Sequence, residues 1–168
     1  MDMINVDLDR IDSTQLFPLG AVYNDGVGNE YRYVKYNSGA GTVTGVAGYL
    51  ALHVGTGTTG MTQWEVTCDY ESNAAGTAIT CPNAAAGFLQ AALTDGNFGW
   101  VQTRGVSRKD MLTDGNVDAN ERLMVSATDG GVLPFADAAP PLATLGVALY
   151  ADDGTSLDAG NALIDIRY

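Results

Sequence analysis

Residues 87–105 read GFLQAALTDGNFGWVQTRG, which predicts two β-strands joined by a turn. Residues 88–93 are almost continuously apolar, and a second apolar run begins at Phe98. Between the two runs, residues 94–97 (Thr-Asp-Gly-Asn) tolerate a positive backbone φ and therefore favour a turn. Each run is too short to favour a helix, and glycine stands at both ends of the block. We therefore expect a hairpin whose two strands are buried in the core.

The rest of the chain continues this pattern of short strands separated by turn-forming residues. Residues 31–36 are rich in tyrosine and valine, a composition typical of strands. Residues 64–70 alternate apolar and polar side chains, which is typical of a strand with one buried face. In residues 49–54 the same alternation places His53 on the outward face. With roughly nine or ten such segments and almost no helical periodicity, the sequence predicts an all-β fold, specifically an antiparallel β-sandwich or jelly-roll-like domain over residues 16–168.

Residues 1–15 are predicted to form an extended N-terminal arm or an edge strand. Ile4, Val6 and Leu8 alternate with polar residues, which is the pattern of a half-buried strand. Such a segment can leave the body and add to the sheet of a neighbouring subunit through main-chain hydrogen bonds. It can equally be an edge strand of its own domain. The sequence leaves both interpretations open.

The charge of the chain argues against nucleic acid and membrane as partners. Its 20 acidic residues against 8 lysines and arginines give a net charge of −12, which repels phosphate backbones and anionic lipid. No apolar stretch approaches the ~20 residues that a membrane-spanning helix needs. The first residues lack the basic and then apolar pattern of a secretory leader, so synthesis and use without such a signal are expected.

Cys68 and Cys81 are the two cysteines of the chain. They are either a reduced pair in a reducing compartment or a disulfide across one hairpin, and both interpretations remain open. Alternation in its strand predicts that Cys68 points inward as a small apolar residue. Two cysteines and one histidine cannot supply four zinc ligands, so no structural zinc is expected.

Candidate catalytic and metal sites are weak, and we expect no enzyme activity, no cofactor and no metal. Residues 114–120 (DGNVDAN) place oxygen-bearing side chains at alternate positions, as a calcium-binding loop does. Ala119 and Val125 stand where such a loop needs a glycine and a bidentate acid, so a plain polar loop is favoured, with a weak cation site as the alternative. His53 has no recognisable nucleophile, because the chain contains no G-x-S-x-G motif, and nothing selects a pair of carboxylates.

Two surface features suggest binding. Arg104, Arg108 and Lys109 form the basic cluster of an acidic chain, either a solvated turn or a docking contact for an acidic partner. Trp64 and Trp100 are expected in the core or an interface, with a sugar-stacking platform as the alternative.

With these residues considered together, the chain resembles the head decoration (cement) proteins of tailed bacteriophages. The resemblance is carried by residues 87–105, by Tyr-Arg-Tyr-Val at residues 31–34, and by the closing strands in residues 145–168. It implies a non-enzymatic structural protein of the virion, made in the host cytoplasm, that binds the outer capsid surface as a homotrimer and stabilises the head. The partner would be the major capsid protein. A carbohydrate-binding module of a virion appendage is the alternative function. From the arm and the basic cluster we take as candidate capsid or subunit contacts Ile4, Val6, Leu8, Arg104, Arg108 and Lys109.

Overall fold

The structure is a computed structural model that describes residues 6–39, 42–56, 60–70, 85–135, 144–152 and 156–166. These ranges contain strands and no helix, and hence no helix long and apolar enough to span a bilayer. The prediction of an all-β, sandwich-like domain is confirmed. The described strands are β1 (Val22–Asn24), β2 (Glu30–Tyr36), β3 (Leu50–Thr56), β4 (Gly60–Thr67), β5 (Ala85–Leu89), β6 (Phe98–Val106), β7 (Met111–Leu112), β8 (Arg122–Val125), β9 (Val132–Pro134), β10 (Gly146–Ala148), β11 (Ser156–Leu157) and β12 (Ala162–Asp165).

Five strands form a closed ring through their hydrogen-bonded edges. Going round it, β2 pairs with β4, β4 with β3, β3 with β5, β5 with β6, and β6 again with β2. The β2–β4 pair is parallel, with Lys35 opposite Glu65, whereas the other four pairs are antiparallel. A closed ring leaves no free strand edge among its members, which removes a route to aggregation and stiffens the body.

The predicted central hairpin lies in this ring as β5 and β6. The first strand is shorter than the apolar run suggested, because β5 ends at Leu89. Beyond it, the main-chain N–H groups of Gly48 and Gly45 donate to the carbonyl oxygens of Leu89 (2.7 Å) and Leu93 (2.8 Å). A neighbouring loop therefore satisfies these carbonyl groups in place of a partner strand, and Leu93 remains fully buried.

The second half of β6 extends the sheet outside the ring. There β6 pairs with β12, and β10, β8 and β9 follow in order, while β7 and β11 form a separate two-stranded sheet. Alternate residues of β12 point inward, where Ala162 and Ile164 are buried, and outward, where Leu163 is exposed. This part of the sheet thus has one core face and one face open to solvent.

Residues 6–12 pack against the body, with a turn at Leu8 and Asp9 and an isolated antiparallel bridge between Asp12 and Phe98 of β6. The described part of residues 1–15 forms no longer strand, and the choice between arm and edge strand stays a prediction. The Asp7 side chain accepts a hydrogen bond from the Asp9 amide (3.1 Å), and the Asp7 carbonyl accepts one from the Arg10 amide (3.4 Å). Leu8 is 8% exposed and belongs to a cluster that also contains Tyr31, Tyr33 and Trp100, with Val6 packed at its edge. Ile4 lies outside the described residues. Whether the arm also reaches a neighbouring subunit stays a prediction.

His53 is buried within the domain, whereas alternation in its strand predicted an outward side chain that faces solvent or an interface. It is 6% exposed, and its ring packs against that of Trp64 with centroids 5.3 Å apart. The side chains of β3 from Leu50 to Val54 are all buried, so both faces of this strand are covered and alternation does not mark an outward face. Burial lowers the pKa of His53, because desolvation disfavours the charged imidazolium.

Cys68 points inward as predicted and is a free thiol that is 1% exposed. Burial raises the pKa of this thiol to about 12, so the reactive thiolate is suppressed. The disulfide alternative involves Cys81, which lies outside the described residues.

Candidate interaction face

The open face of β6, β12, β10 and β8 carries a continuous row of side chains. Strand register places Val106 opposite Leu163, Leu163 opposite Val147, and Val147 opposite Arg122. Directly opposed residues in antiparallel strands project from the same face of the sheet. Val106 and Leu163 are 45% and 46% exposed, Val147 is half-buried, and Arg122 is exposed. We call these four residues the outer row; it is an apolar strip that ends in an arginine.

A groove adjoins the outer row where β6 and β12 meet the turn between β1 and β2. Its volume is about 450 Å³. Val27, at the tip of the turn, is 84% exposed and extends the apolar surface. The Asp25 carboxylate holds this turn in place by accepting hydrogen bonds from the amides of Val27 (3.0 Å) and Asn29 (3.1 Å). The residues that line the groove are Val27, Gly28, Asn29, Arg104, Gly105, Val106, Leu163, Ile164 and Asp165.

The face also carries the cations that the rest of the described chain leaves unpaired. Of the seven lysines and arginines in the described ranges, five form salt bridges with acidic side chains. The two that form none within these ranges are Arg104 and Arg122. Arg104 lies opposite Asp165 in the β6–β12 register and Arg122 ends the outer row, so both border the apolar strip.

The predicted basic cluster is divided by the structure. Arg108 and Lys109 both bind the carboxylate of Asp9, with nitrogen–oxygen distances of 2.7 Å each. Their hydrogen bonds, Arg108 first, hold the pKa of Asp9 well below its usual range. This ion pair fastens the N-terminal segment to the loop after β6, whereas Arg104 lies apart on the open face. The role of the three cations as capsid contacts stays a prediction.

Replacing Asp9 with asparagine is expected to lower stability at pH 7 by roughly 1 kcal/mol or less, because solvent screens ion pairs this exposed. Since the folded-state pKa of Asp9 is depressed, the carboxylate stabilises the protein above its unfolded-state pKa of about 4. That stabilisation is lost as the pH falls from there through the folded-state pKa. Urea unfolding of both proteins between pH 7 and pH 2 measures the difference.

The two stability curves should approach each other below about pH 4. A difference that stays constant over the whole range would contradict the role of Asp9. Asp158→Asn is the control, because this exposed carboxylate makes no salt bridge within the described ranges, and it should leave stability at pH 7 unchanged.

The loop at residues 114–120 begins with a carboxylate that is already hydrogen-bonded within the protein. The Asp114 carboxylate accepts hydrogen bonds from the hydroxyls of Ser126 (2.6 Å) and Thr128 (2.8 Å), which lower its pKa. Val117 is fully buried and pairs with Asp152 in an isolated bridge. Across the described ranges, no group of three or more His, Cys, Asp or Glu side chains is arranged to hold a metal ion.

Neither tryptophan offers an open platform for a sugar ring. Trp100 is 1% exposed and packs against Tyr33 and Phe17, with ring centroids 5.1 and 5.4 Å away. Trp64 is partly buried, and the guanidinium of Arg32 lies 4.9 Å from its ring centroid. The expectation that the rings lie in the core or an interface agrees with these contacts, which speak against the carbohydrate-binding alternative.

No protein-family model and no curated protein matches the chain. Among solved structures, the chain is similar to the N base of the head fibre gp8.5 of bacteriophage phi29, with 12% sequence identity and a TM-score of 0.45. The similarity covers 80% of this chain and 97% of that chain.

Proposed function

We propose that this chain is a structural protein of the virion that binds the outer surface of a phage capsid and stabilises the head without catalysis. It is made in the host cytoplasm, assembles as a homotrimer and contacts the major capsid protein. The observation that carries the proposal is the outer row, an exposed apolar strip of Val106, Leu163 and Val147 on a rigid sheet. Contiguous exposed apolar surface on a soluble domain is typical of a binding site for another protein.

Two further features support a role in adhesion. The closed five-strand ring gives the body a stiff frame, as a protein that clamps a shell under internal pressure needs. The single histidine is 6% exposed, so it has little access to a substrate. The assignment to a phage head rests on the resemblance of residues 31–34, 87–105 and 145–168 to head decoration proteins.

The number of copies per particle tests the proposal. Quantitative mass spectrometry of purified virions should find hundreds of copies of this chain for each head, in fixed proportion to the major capsid protein. Heads that lack the chain should release DNA at a lower temperature than decorated heads. A few copies per particle would indicate an appendage, and absence from particles would overturn the proposal.

A further inference from the structure

We propose that the outer row and Arg104 together dock onto an acidic surface of the capsid. That capsid surface would carry an apolar ridge between two carboxylates. This inference rests on the proposed function and specifies the chemistry of its partner. The docking face is defined by Val106, Leu163, Val147, Arg104 and Arg122.

The exposed apolar side chains of the face favour contact with a partner protein. Val106 and Leu163 face each other across β6 and β12 with nearly half of each side chain exposed, although Ile164 beside them is 1% exposed in the core. The sheet therefore has enough inward-facing apolar residues for its own core, and the outward ones are additional. Val27 continues the strip across the groove. A ridge of aliphatic or aromatic side chains fits such a strip.

The two arginines of the face indicate that the partner surface is negatively charged. The chain has a net charge of −12, yet Arg104 and Arg122 lack salt bridges in the described ranges, and both border this face. Asp165 and Glu30 lie opposite Arg104 in the strand register but form no salt bridge with it, so both arginines remain able to pair with carboxylates on a partner. DNA and anionic membranes carry negative charge over their whole extent, and the acidic body would repel them.

Strand geometry sets the spacing of the partner carboxylates. Arg104 lies on β6 and Arg122 on β8, with β12 and β10 between them. Three steps of about 4.8 Å across the sheet and an offset of two residues, about 7 Å, along β6 separate the two backbones by about 16 Å. Pairing two copies of this face about a twofold axis would bring arginine-bearing surfaces together, so a second copy in that arrangement is disfavoured.

The test measures binding of fluorescently labelled protein to heads purified from virus that lacks this chain. The double variant Arg104→Gln/Arg122→Gln should bind about tenfold more weakly and show a shallower dependence on salt. Leu163→Ser should also weaken binding by about tenfold, but with an unchanged salt dependence. Thermal melting should show all variants folded, because the three side chains are exposed.

The control variants make the same chemical changes elsewhere. Arg10→Gln/Lys35→Gln removes two positive charges that are paired with Asp12 and Glu65, and Val22→Ser alters an exposed valine on β1. Both should bind within about twofold of the wild type. Equal weakening of this double control variant would overturn the inference in favour of non-specific electrostatic attraction.

The remaining outcomes separate this inference from the proposed function. If the wild type binds heads and the face variants bind equally well, the docking face is wrong but the function stands. If the wild type does not bind heads, both are wrong. The last measurement is sedimentation velocity of the free proteins. If Leu163→Ser dissociates the oligomer, this face is a contact between copies of the chain, and the inference is overturned.

Discussion

Replacing Trp100 with alanine is expected to lower the free energy of unfolding by about 3–5 kcal/mol. The indole is 1% exposed at the centre of an aromatic cluster. It contacts Tyr33 and Phe17 at centroid distances of 5.1 and 5.4 Å, and Tyr23 at 6.2 Å. Removing it would leave a cavity between β2, β6 and the segment before β1, and rigid β-strands can close such a cavity only in part.

Urea unfolding followed by far-ultraviolet circular dichroism measures this loss without depending on tryptophan fluorescence. Tyr150→Ala is the control, because that ring is 63% exposed, and its removal should cost less than about 0.5 kcal/mol. A loss below about 1 kcal/mol for Trp100→Ala would show that the cluster is not a packed core. It would also reopen the sugar-binding interpretation of this ring.

Local sequence patterns were enough to predict the strands, but not their pairing into a closed ring. The hairpin at residues 87–105 and the strand at residues 31–36 follow from apolar runs and turn residues a few positions apart. The ring depends on the parallel pairing of Lys35 with Glu65, which are 30 positions apart. Nothing in either segment alone specifies this pairing. The burial of His53 was missed for the same reason, since Trp64 covers it from another strand.

The candidate face was predicted only at Arg104. Val106, Leu163 and Arg122 come from three separate parts of the sequence and become neighbours through register. In the sequence, Arg108 and Lys109 looked as free as Arg104 to bind an acidic partner. In the structure both form salt bridges with Asp9, which is 99 positions from Arg108. An interaction surface of this kind depends on which charges are already paired, and that information is contained in tertiary contacts. At residues 114–120 the departures from a calcium loop are local, so the sequence alone favours a polar loop there, and weak cation binding stays untested.

Gly48→Ala is expected to destabilise the fold by about 2–5 kcal/mol, through backbone strain and overpacking together. Gly48 has a φ of +89°, a left-handed conformation that costs an alanine roughly 1–2 kcal/mol. A methyl group there would also overlap the carbonyl oxygen of Asp110, and its carbonyl carbon would lie 2.8 Å away. The clashing group is the main-chain carbonyl of Asp110, so the clash cannot be relieved by a side-chain rotation. The loop before β7 would have to move away from Gly48, whose amide donates a hydrogen bond to the Leu89 carbonyl.

Gly26→Ala is the matched control for this substitution. Gly26 has a similar φ of +80°, but nothing lies within 4 Å of the added methyl group, so only the strain of roughly 1–2 kcal/mol remains. Urea unfolding of both variants therefore isolates the steric contribution as their difference. Equal losses in the two variants would mean that the contact between Gly48 and Asp110 is not tight in solution. A larger loss of unfolding free energy for Gly48→Ala would establish that the loop preceding β3 packs tightly against the loop preceding β7. The two backbones would then position each other.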